Sequence, residues 1–225
     1  MPDSPPPSLK VDRSAKTLRE LTLEKMHEAI FSGHFAPGER LVERKLCELL
    51  GVSRSVIREV LRQLESEGLV ETVAQGPMVA RLDAGRAAQI YELRALLEGQ
   101  AARVCARKAS DETLAELAAL NQHIQQAFER SEFTLVMERT TAFYERMFLG
   151  SGLDVAWEMV QSLNARINRL RAMTIASAER KSATAQEMAA LVEALLRRDG
   201  DAAEQASRAH IQQAAAIAMR QLSQN

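Results

Sequence analysis

The stretch ERKLCELLGVSRSVIREVLRQLESEGLV, residues 43–70, decides how the first third of this chain folds. Its apolar residues keep helical spacing from Glu43 to Leu50, and Gly51 supplies a stop. Ser53 is placed to cap a second helix, which carries Val56, Ile57, Val60, Leu61 and Leu64 and stops at Gly68. Two short helices split by Gly51-Val52-Ser53 predict a helix-turn-helix, in which the first turn of the second helix enters the major groove of a duplex. Arg54, Ser55 and Arg58 fall in that turn. The planar fork of arginine donates to two acceptors of guanine at once, while Ser53 and Ser55 suit phosphate oxygens at a helix N-terminus. Arg44, near the start of the preceding helix, is expected over the nucleic-acid backbone. The apolar residues hold the second helix on its domain and leave the arginines facing outward. An isolated pair of surface arginines would carry little weight; here a whole assembly surrounds it.

Upstream, Leu18, Leu21, Met26, Ala29 and Ile30 predict a first helix that stops at Ser32-Gly33, and APGERL (36–41) reads as a turn leading into an extended piece. Downstream, LVETV and MVARL flank AQGP, which predicts a two-stranded hairpin with a Gly-Pro tip, a wing beside the helix-turn-helix. The opening MPDSPPPSLKVDRSAK holds four of the six prolines and is expected to be a disordered arm over 1–16. The DNA-reading unit then covers 17–82. After Leu82 the strand signal ends, and six helices are predicted near 86–108, 112–130, 132–149, 153–178, 182–198 and 201–222. The fold class is therefore mostly α: an N-terminal winged helix-turn-helix and, over 83–225, a C-terminal all-helical bundle of six helices.

Composition agrees. Aromatics make up only 4% of the chain, and ten glycines and six prolines leave few turns, which favours helices over many short strands. With a formal net charge of −1, contact with nucleic acid must come from a local patch. Cys47 and Cys105 each sit in an apolar-periodic stretch and read as reduced core residues. No signal peptide, apolar run of membrane length or lipidation motif is found, so a soluble cytoplasmic protein is expected. A Gly-rich phosphate loop, Gly-x-Ser-x-Gly, His-Glu-x-x-His and any Cys/His nucleophile pairing are all absent, which leaves an enzyme with little support.

APGERL, the quoted stretch and the hairpin resemble the winged helix-turn-helix of the GntR family of bacterial transcription regulators, over residues 17–82. That resemblance implies DNA contacts from Arg44, Ser53, Arg54, Ser55 and Arg58, with Gly76 at the wing tip close to the minor groove; Gln75 before it is a further wing contact. The stretch YELRALLEGQAARVCARKAS (91–110) and the helical remainder resemble the FCD effector domain of the FadR-type subfamily. The resemblance implies a bundle that dimerises, binds a small effector, often an organic acid, and in many members holds a divalent metal through an Asp and a His one turn apart and two later histidines. Here TTAFY puts Thr140 and Tyr144 where the Asp and the first His are expected, Glu187-Met188 replaces a Glu-His pair, and only His210 remains. A hydroxyl, a phenol, a thioether and one imidazole make a poor divalent site, so neither a metal nor another cofactor is expected.

Helical spacing places these positions inward. Thr140 and Tyr144 fall in the stripe of Phe133, Val136, Met137 and Met147; Met188 shares a face with Leu191, Val192 and Leu195, and His210 with Ala203, Ala206, Ala214 and Ile217. Arg94 lies beside the stripe of Ile90, Leu93, Leu97 and Ala101, where a charge needs a partner, and Glu98 one turn on can supply it. Asn164 lies in line with Trp157 and Arg171. Singly these are ordinary core residues. Together Arg94, Thr140, Tyr144, Asn164, Met188 and His210 predict a cavity with convergent polar groups for a small effector, Arg94 meeting its anionic oxygen. The expected partners are a palindromic double-stranded operator, that effector and a second copy of the chain; the expected role is a ligand-released repressor, with the change transmitted through the linker at 82–86. A dimer whose bundle is only a scaffold stays open as an alternative, and a helical enzyme as a remote one.

Overall fold

The computed structural model describes residues 16–81, 83–175 and 178–223, the side chains of 178–183 excepted. Leu82 and all but the last residue of the expected arm at 1–16 lie outside the described residues. Helix α1 (Leu18–Phe31) opens on a capping box in which Thr17 and Glu20 satisfy each other's backbone N–H groups, and it buries Met26 and Ile30. Helix α2 (Glu43–Leu50) ends at Gly51, whose φ of 66° is open to glycine at little cost, and the Gly51 N–H bonds the Cys47 carbonyl. Ser53 then caps α3 (Arg54–Ser66), which buries Ile57, Val60, Leu61 and Leu64. These residues close a first core with Met26, Ile30, Leu41, Leu46, Leu69 and Val79. Strands β1 (Val70–Val73) and β2 (Gly76–Val79) pair antiparallel in the register Val70↔Val79 to Val73↔Gly76.

The expected Gly-Pro tip is corrected by that register: Ala74 and Gln75 form the tip, and Gly76 and Pro77 belong to β2. The cause is a third segment. The Leu41 N–H donates to the Pro77 carbonyl at 2.8 Å and the Val79 N–H to the Glu39 carbonyl at 2.9 Å, so the extended piece after the turn at Pro37-Gly38 zips onto β2 and draws it into the sheet.

The remaining described residues form seven helices: α4 (Ala84–Lys108), α5 (Asp111–Glu129), α6 (Phe133–Ser151), α7 (Asp154–Ser162), α8 (Asn164–Ile175), α9 (Ala178–Leu196) and α10 (Gly200–Leu222). The single helix expected over 153–178 is two. At Leu163 the N–H turns back to the Val160 carbonyl, three residues away, and a new helix starts. Neither glycine nor proline marks the break. It lets Trp157 pack on Phe148, with ring centroids 5.3 Å apart, while Ile167 and Leu170 enter the second core. Cys105 is buried there, its thiol pushed up to about 11 by burial, whereas Cys47 is only partly buried.

Helix α8 also reaches the first core. Ala165 packs against it, Arg166 lies against Gly68 at the end of α3, and burial pulls the Arg169 guanidinium below its usual range while Glu71 of β1 offsets part of that cost. Gly68 has φ of 71°, and a Cβ there would overlap the Arg166 guanidinium. Gly68→Ala is therefore expected to cost about 1–2 kcal/mol from the left-handed backbone, plus the displacement of Arg166. In thermal melts that is a fall of about 2–8 °C. The cost is expected to shrink in an Arg166→Ala background; an equal fall in both backgrounds would clear Arg166 as the obstacle.

Candidate nucleic-acid interface and effector cavity

The first turn of α3 stands clear of the protein. Ser53, Arg54, Ser55 and Arg58 are all exposed, as are Arg44 on α2 and Gln75 at the hairpin tip, and Gly76 is half-buried. The Ser53 hydroxyl accepts from the Val56 N–H and lies 2.8 Å from the Ser55 hydroxyl, so both serines are oriented at the helix N-terminus, where backbone N–H groups favour an anion. The two arginines differ. Arg54 makes no ion pair among the described residues, whereas Arg58 donates from Nε to both carboxylate oxygens of Glu43 at 3.0 Å. Hydrogen bonding to Glu43 raises the Arg58 pKa further, so its charge is permanent. Arg44 pairs with Glu48 at 3.5 Å on an exposed face. Arg40, which sequence reasoning passed over as part of a turn, lies against Gly76 and adds a cation beside the wing. The PGERL turn that holds it was the available signal.

Within the bundle a cavity of about 30 Å³ is lined by Thr140, Arg171, Thr174, Thr184, Met188 and His210 among others. It brings together three of the six residues expected there: Thr140, Met188 and His210. Tyr144 is buried beside it, its ring 5.6 Å from the Arg171 guanidinium and 5.9 Å from that of Arg94. Two expectations are corrected. Arg94 does not line the cavity: it donates from Nε and Nη2 to the two oxygens of Glu98, at 2.7 and 3.2 Å, in a pair that is 3% and 1% exposed. Burial opposes the Arg94 charge, but Glu98 outweighs it and holds the guanidinium above its ordinary range. Asn164 is the first residue of α8, two turns and roughly 10 Å along the axis from Arg171, and it lines no part of the cavity.

Arg171 holds the place the sequence reading gave to Arg94. Its Nη1 donates to Asn168 at 2.8 Å and Thr141 at 3.4 Å, both neutral. Burial, then the nearby Arg94, pull its pKa down to about 10. The Thr140 and Thr174 hydroxyls donate to backbone carbonyls one turn back, but the buried Thr184 hydroxyl has no hydrogen-bond partner. His210 Nδ1 lies 2.9 Å from Glu187. This donor set does not fit a divalent metal: it offers one imidazole turned to a carboxylate, a thioether and neutral hydroxyls, two of them committed to backbone carbonyls, around a guanidinium that would repel the ion.

Residues 89–213 match the model of the FCD domain, and residues 18–79 match that of the bacterial regulatory proteins of the gntR family. The Nta operon transcriptional regulator of Aminobacter aminovorans is 34% identical over 143 residues, covering 62% of this chain and 67% of its own. The HTH-type transcriptional repressor RspR of Escherichia coli strain K12 is 28% identical over 182 residues, or 79% and 78% of the two chains. Among solved structures, Escherichia coli McbR/YncC shares the fold with a TM-score of 0.76 at 24% identity, covering 92% of this chain and 99% of its own. A GntR regulator from Rhodococcus sp. RHA1 does so at 0.74 and 20% identity, over 90% and 97%.

Proposed function

The chain belongs to the GntR family of bacterial regulatory proteins, with an FCD domain behind its helix-turn-helix, and from that premise we propose that this transcriptional regulator is a homodimeric repressor released from its operator by an organic acid bound without a metal. The observation that carries the ligand-responsive part is α8, which meets the cavity through Arg171, Thr174 and Ile175 and the first core through Ala165 and Arg166. A ligand can release DNA only by favouring the arrangement that misplaces the α3 helices, and α8 offers a direct path for that bias beside the linker at 82–86. In this reading residues 17–82 read the operator through Arg44, Ser53, Arg54, Ser55, Arg58, Gln75 and Gly76. Residues 83–225 sense and dimerise. Among the described residues no helix is long and apolar enough to cross a membrane.

Dimerisation has a surface to use. Leu93 and Leu96 on α4 and Val155 and Met159 on α7 are 43%, 54%, 71% and 51% exposed on helices that touch each other. Leu93 was expected in the inward stripe; its exposure corrects that reading and supplies an apolar face for a second copy. The test is selection of the operator from random duplexes followed by screening of acids for its release. An inverted repeat is expected, and Leu93→Glu is expected to sediment as a monomer and lose most operator affinity. A single unrepeated half-site, or a dimer indifferent to Leu93→Glu, would overturn the dimeric reading.

A scaffold-only bundle is the second reading, favoured by the cavity volume of about 30 Å³, which is room for about one water where ligand sites usually need some 300 Å³ or more. Effector binding therefore requires a side chain to move, and Met188, unbranched and pliant, is the wall suited to it. Operator affinity unchanged by every acid would favour the scaffold.

A further inference from the structure

The second core contains its own example of how an arginine takes a carboxylate. Arg94 presents its Nε–Nη2 edge to Glu98 and is saturated by it. Arg171, on the other side of the same small region and sharing the Tyr144 ring with Arg94, presents an edge of the same kind. Its Nη1 is committed to Asn168 and Thr141, but its Nε and Nη2 donate to no acceptor, and no carboxylate lies within ion-pair distance among the described residues. The two nearby acids are engaged elsewhere, Glu98 with Arg94 and Glu187 with His210. The Thr184 hydroxyl, 5% exposed and unpartnered, lines the same cavity as Arg171. A half-buried cation without a counter-charge and a buried hydroxyl without a partner both carry a cost. Both costs are relieved by one acceptor group.

Resting on the reading of the bundle as an effector domain, we infer that Arg171 is the residue that selects the effector, and that it selects a small monocarboxylate, held side-on by Nε and Nη2 and by the Thr184 hydroxyl. Side-on pairing is the geometry in which guanidinium and carboxylate make two parallel charge-assisted bonds. The lowered pKa of Arg171, about 10, fits a charge that lacks its partner and is still protonated at neutral pH. A dicarboxylate is disfavoured because, among the described residues, its second charge meets the carboxylates of Glu98 and Glu187, which repel it. The apolar tail faces Ile124, Phe128, Val136 and Met188. A neutral amide of the same shape keeps the tail contacts and loses the ionic ones.

The test is thermal melting of the full chain, at constant ionic strength, with straight-chain monocarboxylates from formate to octanoate, benzoate, the matching amides, malonate and succinate. At least one monocarboxylate is expected to raise the melting midpoint by about 5–10 °C when present at about a hundred times its Kd, with amides and dicarboxylates inert. Arg171→Gln abolishes the rise, and Arg171→Lys keeps part of it by keeping the charge without the edge. Thr184→Val, which trades an unsatisfied hydroxyl for a methyl, is expected to fold at least as stably as the parent and to reduce the rise, so the assignment survives a misfolded Arg171 variant. A rise of equal size in wild type and Arg171→Gln, or one produced by an amide or a dicarboxylate, would overturn the inference and leave the effector domain standing. If none of the panel shifts the midpoint or operator binding, the inference and the effector reading fall together.

Discussion

Replacing Arg54 and Arg58 together by alanine is expected to lower affinity for the selected operator by on the order of a hundred- to ten-thousandfold, two base-reading contacts being removed from one helix turn. Both side chains are exposed on α3 and contribute nothing to its buried face, which Ile57, Val60, Leu61 and Leu64 make alone. Melting temperature should therefore stay near that of the parent, which separates lost recognition from lost folding. The single variants should differ. Arg54 is ready to donate, whereas Arg58 must first leave both oxygens of Glu43. Glu43→Gln weakens that internal competitor and is expected to tighten binding in the parent but to do nothing in Arg58→Ala. Fluorescence anisotropy on labelled operator at one fixed salt concentration reads the parent and every variant, and unchanged affinity in the Arg54/Arg58 double variant would sink the assignment of α3 as the reader.

The second large effect lies in the bundle. Glu98→Gln keeps the shape of the side chain but leaves the Arg94 charge, 3% exposed, without its bidentate partner. Breaking a buried pair on one side costs about 3–5 kcal/mol, a fall of about 6–20 °C in the melting midpoint for a chain of this size. Removing both charges, as Arg94→Met with Glu98→Met, is expected to recover most of the loss, because two well-packed apolar side chains replace the pair without an uncompensated ion. Denaturant unfolding with the slope held in common checks both. If Glu98→Gln melts within about 2 °C of the parent, the pair is not the anchor that its burial implies.

The helix-turn-helix was legible because its signals are local. Gly51 and Ser53 set helix ends through their own backbone and hydroxyl, and the apolar period of α3 leaves only one face for Arg54, Ser55 and Arg58. The hairpin tip was misplaced by two residues because its register depends on Glu39 and Leu41, thirty-odd residues upstream. In the bundle, periodicity correctly turned Thr140, Tyr144, Met188 and His210 inward. It could not show where along a helix the cavity lies, so Asn164 was chosen over Arg171 on the same helix face. Nor could it tell a saturated arginine from an unsaturated one: Arg94 has the carboxylate of Glu98 one turn away and Arg171 the neutral amide of Asn168. The break at Leu163 carries no local mark and follows from Phe148 and Trp157 meeting in three dimensions.

Helix α8 makes this regulator less modular than its two-part layout suggests. Because Arg166 rests on Gly68 and Arg169 faces Glu71, a chimera that joins this bundle to a foreign reading head across the short connector alone would inherit a mismatched joint. Engineers wishing to rewire the sensor would have to transplant the complementary surface, Gly68 and Glu71, along with it.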